Sequence, residues 1–494
     1  MLSALSFSLL SKHFWKLFCE SKNENRGCDE MGIFVNTDKM TKGGQAMGEI
    51  PPEKSILKRT VQIAWPSITE SFLVSLVGMI DTMMVGGIGA HAIAAVGLTT
   101  QPKFIGLAIF ISLNVAASAI VARRKGEQDR KSANSVLMQA LTLTLLLAAV
   151  VSVLCVVFAD PVIRLAGSAE DTHQEAVTYF KIIMGCMVFN VVSLVINAAQ
   201  RGAGNTKIAM RTNIVSNLVN VVLNYLLIGG NLGFPRLGVA GAAIATVCGT
   251  VVACGMSIAS VLHPGQFICI RGNWRLRFDK RSLLAIVNIG SSTLAEQIFL
   301  RIGFLTYAII IARLGTSAFA AHQIGMNLLS ISFSFGDGLS VASVTLVGQS
   351  LGESREDMAR VYGSVCQRLG VIFALLLSII FVFLGRQIFM MFTDETVILD
   401  YGVMIMRMMT VVVFLQISQV VYSGCLRGSG DTRFTALVSL ISVAIVRPGA
   451  GWLFCYPLEM GLFGAWLGLA VDQVVRFVMT YLRFKSGKWT GIKV

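Results

Sequence analysis

The sequence predicts an all-α polytopic membrane protein: 12 transmembrane helices in two parallel six-helix repeats, an N-lobe and a C-lobe, with both termini cytoplasmic. Three observations carry this. Of 494 residues, 54% are hydrophobic and 14% are charged, where soluble domains hold about a quarter charged. Apolar runs recur at the length of about 20 residues that crosses a hydrocarbon core. Loops of the second half repeat loops of the first at one constant offset.

The apolar runs fall near 62–85, 102–122, 135–158, 178–199, 212–230, 237–262, 284–312, 320–347, 362–385, 401–425, 434–456 and 461–482. The connections are short and rich in turn formers, such as GGIG at Gly86 and NLGFPRLG at Asn231. Charge orients the spans. Loops after even-numbered spans carry Arg123, Arg124, Lys125, Arg130 and Lys131, then Arg201, Lys207 and Arg211, then Arg271, Arg275, Arg277, Lys280 and Arg281, then Arg355, Arg360, Arg427 and Arg433. Loops after odd-numbered spans carry Arg164, Arg236, Arg313 and Arg386. Basic residues collect on the cytoplasmic side, and the termini, with Lys58, Arg59, Lys485 and Lys488, belong to it.

The repeat is read from three loops. QRGAGNTKIA at Gln200 matches LRGSGDTRFT at Leu426, pairing Arg201 with Arg427 at an offset of 226. The same offset places Val121 on Val347, Gly126 on Gly352 and Gly89 on Gly315. After the fifth span the offset becomes 223, with GVAGA at Gly238 on GLFGA at Gly461. Six spans per unit give both copies the same orientation, and parallel repeats place substrate sites at their interface near mid-membrane. The expected domains are a polar N-terminal extension over 1–50, an N-lobe over 51–270 with helices 1–6, and a C-lobe over 271–494 with helices 7–12. The extension has no clear span, and Met31, Met40 and Met47 offer later starts; deletion of residues 1–46 should be tolerated.

Composition excludes several classes. The net charge of +14 follows from the loop bias, and no stretch interleaves basic and aromatic residues as a nucleic-acid groove would. The cysteines are scattered without a CxxC pair, and the five histidines show no ligand spacing. There is no HExxH, no GxSxG and no filter-like loop, which argues against a membrane enzyme and a channel. No cofactor is called for.

What remains are polar groups inside spans. Ionisable residues there cost several kcal/mol unless they face a cavity or a partner. Glu70 and Asp81 lie 11 residues apart on the first span, on one face and about 16 Å apart. Glu70 maps by the repeat onto Glu296, which has Gln297 and Arg301 beside it. Asp81 maps onto Tyr307, so the halves differ there. The fifth span carries Asn213, Asn217, Asn220 and Asn224, a continuous amide stripe, and the sixth carries Thr246. Arg447 precedes Pro448 in the eleventh. Asp472 and Arg476, one turn apart in the twelfth, read best as an intrahelical ion pair. Arg447 and Arg301 have a structural reading too, Arg301 as the neutraliser of Glu296. Asp81, the amide oxygens of Asn220 and Asn224 and the Thr246 hydroxyl make an all-oxygen set suited to a hard cation.

This pattern resembles the multidrug and toxic compound extrusion (MATE) family from about Pro51 to the C-terminus. The resemblance rests on the two six-span halves, DTMMVGGIG at Asp81, the RGAGN and RGSGD loops, and LVGQSLG at Leu346. It implies an exporter in the cell membrane that exchanges inward Na⁺ or H⁺ for outward movement of drugs, by alternating access of two lobes. Asp81 looks like the family's coupling carboxylate, with Asn220, Asn224 and Thr246 as its companions. Glu296 matches a seventh-span glutamate of some members. Glu70, Asn213, Asn217, Gln297 and Arg447 are the remaining candidates for contact with substrate or proton. The expected substrates are cationic, amphipathic small molecules, handled by a monomer among membrane lipids. The competing reading is a flippase for a lipid-linked saccharide precursor, against which stand the span count and the few cations expected in the cavity.

Overall fold

The computed structural model describes residues 50–270, 279–393 and 395–492. The extension before Ile50 and the basic residues Arg271, Arg275 and Arg277 lie outside the described residues. Among the described residues all regular structure is helical. Eleven helices are long and apolar enough to cross a membrane, and a bent pair makes the count 12.

The first span is Glu53–Gly86, the second Ala90–Gly126 and the third Arg130–Val157. The fourth is two helices, Glu170–Gly185 and Met187–Gly202, bent by 47°. The fifth is Thr206–Gly229 and the sixth Gly238–Leu262. The second half runs Lys280–Ala312, Thr316–Gly352, Glu356–Met390 and Thr396–Ser429. Its eleventh span is composite: Thr432–Ser439, a π-helical stretch Leu440–Val446, then Arg447–Cys455. Pro448 explains the break, because it has no N–H to donate and its ring crowds the preceding turn, and a widened turn absorbs both effects. Gly461–Ser486 closes the set.

Local chemistry starts and stops these helices. Asp129 caps the third span, accepting from the Ser132 amide at 3.0 Å and its hydroxyl at 2.6 Å. Those bonds hold its carboxyl below the usual range. Asp279 caps the seventh span on Ser282 in the same way. The matched RGAGN and RGSGD loops are helix-ending turns. Gly204 and Gly430 both have φ of 90°, and the amides after them reach back to Gln200 and Leu426, each at 2.8 Å. Left-handed backbone of this kind favours glycine. The repeat extends even to strained positions: Gln128 and Ser354, 226 apart, have φ of 56° and 57°.

Each half has its own apolar core. One is built around Phe110, Leu137, Phe180 and Ile196, the other around Tyr307, Met406, Ile417 and Trp466. Ile286 and Ile289, at the start of the seventh span, pack into the first of these. The halves meet at the basic end. Gly126 and Gly352 lie at the point of closest approach. A Cβ on Gly126 would strike the Gln349 carbonyl and the Glu353 amide; one on Gly352 would strike those of Arg123 and Glu127. Nearby, Gln349 donates to the Gly202 carbonyl at 3.0 Å and Thr345 to the Arg201 carbonyl at 2.9 Å. Arg123 donates to the Ile492 carbonyl at 2.8 Å, joining the second span to the C-terminal tail. Along the first span the contacts to the eighth run through Ile68 against Gly338, Ser71 to Asp337 at 3.1 Å and Ser75 to Ser334 at 2.6 Å. Beyond Ser75 no hydrogen bond links these two spans among the described residues.

Candidate functional site

The predicted polar residues gather into three clusters. The first lies in the N-lobe, toward the end opposite the basic loops. Asp81 is half-buried and accepts from the Asn224 amide at 2.7 Å. With the Asn220 amide oriented to satisfy both its neighbours, its nitrogen donates to Asp81 at 2.8 Å and 3.2 Å, and its oxygen accepts from the Thr246 backbone amide at 3.2 Å. Thr246 itself donates to the Ala242 carbonyl at 2.9 Å. The four residues meet because positions 220 and 224 share one face of the fifth span, and the fifth and sixth spans are neighbours.

Both amides turn nitrogen toward Asp81, whereas the sequence suggested oxygens facing a cation. A carboxylate only accepts, so it draws the N–H groups. The Asn224 oxygen is buried without a partner; a half-turn of each amide would present oxygens to an ion. Two further groups border this cluster: Lys103 of the second span and Tyr179 of the fourth are both within electrostatic reach of Asp81. Neither was singled out in the sequence.

The second cluster is a matched pair. Glu70 accepts from Arg201 at 2.8 Å and from Asn213 at 2.6 Å. Glu296 accepts from Arg427 and, at 2.9 Å, from the Thr435 hydroxyl. Glu70 and Glu296 are 7% and 3% exposed. The two ion pairs are repeat mates in both members. Arg301 therefore does not neutralise Glu296, contrary to the sequence reading. Five residues separate them, about 140° around a helix, and side chains meet at three or four. Asp337, on the eighth span between the two pairs, is a carboxylate the sequence reading passed over. Its FSFGDGLS setting suggested packing, and the repeat places Ile111 at the mate position.

The third cluster is in the C-lobe. Arg447 donates to Asp472 at 2.6 Å and 3.0 Å. Arg476 stands 3.5 Å from the other Asp472 oxygen and donates to Ser442 at 3.1 Å. The expected Asp472–Arg476 pair is present, but Arg447 is the closer partner. Asp472 is fully buried. Arg447 is thus bound into an ion triad on the opposite lobe from Asp81, with its guanidinium 4.8 Å over the Phe304 ring. Asn217 belongs to none of the three, and its amide nitrogen is buried without a partner. Gln297 is half-buried and joins no cluster.

The MatE family model matches twice, over residues 66–226 and 293–453, two stretches of equal length, one in each half of the chain. The chain is 28% identical over 445 residues to the probable multidrug resistance protein NorM of Thermotoga maritima, covering 89% of this chain and 94% of that one. It is 25% identical over 431 residues to the multidrug resistance protein MdtK of Photorhabdus laumondii, covering 86% and 93%. Its fold superposes with a TM-score of 0.82, at 21% identity, on a solved structure described as the outward-facing conformation of a multidrug resistance MATE family transporter of the MOP superfamily, covering 89% of this chain and all of that one.

Proposed function

This chain belongs to the MatE family, whose members are secondary transporters and not enzymes, and on that footing we propose that it exports small amphipathic drugs or toxins by cation-coupled antiport. It is a multi-pass membrane protein of two six-helix lobes. The proposed setting is the cell membrane, as a monomer, with the basic loops cytoplasmic. The lobes correspond to residues 51–270 and 271–494.

The observation that carries the reading is Asp81 held by Asn220 and Asn224, half-buried, beyond Ser75, past which no hydrogen bond links the first and eighth spans among the described residues. In this arrangement Asp81 is reached from outside. Uptake of Na⁺ or H⁺ cancels its charge and breaks the balance of N–H bonds around it. Pro66, inside the first span, leaves the Gln62 carbonyl without a helical donor, so the span can bend there as Asp81 changes state. Bending disturbs Ile68, Ser71 and Ser75, the contacts to the eighth span. A ligand shifts such an equilibrium only by its differential affinity for the two states, and Asp81 supplies the charge that differs.

Asp81 and Asp337 are the acids open to an organic cation, since Glu70 and Glu296 already hold arginines. Those pairs serve best as fixed anchors beneath the cavity. Arg447, assigned to the ion triad, is placed outside the substrate path. The flippase reading is not favoured, because the named relatives are multidrug resistance proteins.

The test is efflux of ethidium from proteoliposomes under separately imposed sodium and pH gradients. Accumulation driven by one gradient and abolished by Asp81→Asn supports the reading. Efflux that ignores both gradients sinks it.

A further inference from the structure

Arg301 and Lys103 are basic side chains within spans, and neither is repeated. Their mates at the 226 offset are Ser75 and Leu329, so the fold itself does not demand them. Arg301 lies 11 residues from the far end of its helix and Lys103 lies 13 from the far end of its own, depths of about 17 and 20 Å. They meet on one aromatic ring. The Arg301 guanidinium sits 4.4 Å from the centroid of Phe104, and the Lys103 ammonium 5.9 Å from it. Arg301 belongs to the C-lobe and Phe104 to the N-lobe, so the cluster spans the lobe boundary.

Neither cation has a carboxylate within 4.0 Å among the described residues, unlike Arg201, Arg427, Arg447 and Arg476. The Arg301 Nε is buried without a hydrogen-bond partner. Lys103 lies within electrostatic reach of Asp81, which leaves Arg301 as the cation of the two with no acid acting on it among the described residues, and a cation at this depth faces a wet cavity or an anionic partner. A guanidinium offers a planar fork matched to a carboxylate, and the ring beside it offers a surface for an aryl group.

We propose that Lys103, Phe104 and Arg301 form a subsite for the carboxylate of an aromatic substrate. The inference rests on the export reading and sharpens it: the cavity accepts an acidic group as well as a basic one, with Asp81 within electrostatic reach of Lys103. It also departs from the sequence expectation of purely cationic substrates. Depth argues against a lipid headgroup as the occupant, since the cluster lies well below the outer rim.

The test is equilibrium binding to the full chain in phosphatidylcholine nanodiscs, with 1-naphthoate, its neutral analogue 1-naphthamide, and 1-naphthylmethylammonium as probes. The expected result is at least a roughly tenfold preference for naphthoate over naphthamide. Arg301→Gln and Lys103→Gln should each erase most of that preference while binding of the amide stays constant, and Arg301→Lys should keep part of it. Equal binding of naphthoate and naphthamide by the unaltered chain overturns the proposal. So does an equal loss of all three probes in folded variants, the mark of a merely structural role. If Arg301→Gln fails to fold, Lys103→Gln and Arg301→Lys decide. Displacement of naphthoate by phosphatidylglycerol, or by pyrophosphate more strongly than by naphthoate itself, also overturns it, by reassigning the site to a headgroup or a diphosphate. Binding needs no gradient, so failure of ethidium efflux would strike the export reading and leave this result standing by itself.

Discussion

At the scale of single residues, the charges inside the spans divide into those already matched and those left to act. Glu70 and Glu296 are matched, and removing a partner leaves a buried charge without compensation, a loss of about 3–5 kcal/mol. Arg427→Ala should therefore lower the melting temperature in detergent markedly, and Glu296→Gln with Arg427→Gln should recover much of it. An unchanged melt in Arg427→Ala would show that the pair is incidental. Asp81 is of the other kind. Asp81→Asn keeps the shape and an acceptor oxygen but removes the charge, so gradient-driven efflux should fall to background while the melting temperature holds. Full efflux in that variant would remove Asp81 from the coupling role. Most of these residues were legible because one offset maps Glu70 to Glu296 and Arg201 to Arg427, and because amides four apart share a helix face. Asp337, Lys103 and Tyr179 were not. Each sits in an apolar run with no mate of its own chemistry, and only the packing of different spans brings them to the site.

At the scale of elements, span positions followed from apolar length, and the helix-ending turns from the paired glycine loops. The bend between Gly185 and Met187 had no proline to announce it. Pro448 did announce a disturbance in the eleventh span, but the π-helical length before it depends on how neighbouring helices let the extra turn settle. The Asp129 cap gives an element-level test. Its carboxyl is held low by Ser132, so its contribution is present at neutral pH. It fades as acid carries the solution through that depressed value, as expected for a carboxyl whose folded pKa lies below the unfolded one. Asp129→Ala should cost roughly 1 kcal/mol at pH 7 and nearly nothing in strong acid. Thermal melts of both proteins across that range check it; a pH-independent difference would mean the bonds to Ser132 do not govern the helix start.

At the scale of the whole molecule, the repeat made the two-lobed architecture readable, because a shift of 226 in three loops admits few alternatives. Which end of the molecule is closed was not readable. An exporter of the proposed kind passes between two arrangements of its lobes, and one sequence serves both. At the closed end Gly126 and Gly352 let the backbones meet. Gly126→Val or Gly352→Val should pry the basic end apart, raising reactivity of a cysteine placed at Ser71 toward a membrane-impermeant thiol reagent added from the basic side. Unaltered reactivity would mean that the glycines do not set the balance. The two glycines also touch each other's neighbours reciprocally, Gly126 against Gln349 and Glu353, Gly352 against Arg123 and Glu127, all mates in the repeat. Such a contact is self-complementary. An ancestral chain of only six helices, pairing with a second copy of itself in the same orientation, could have sealed this end before the two genes were ever fused.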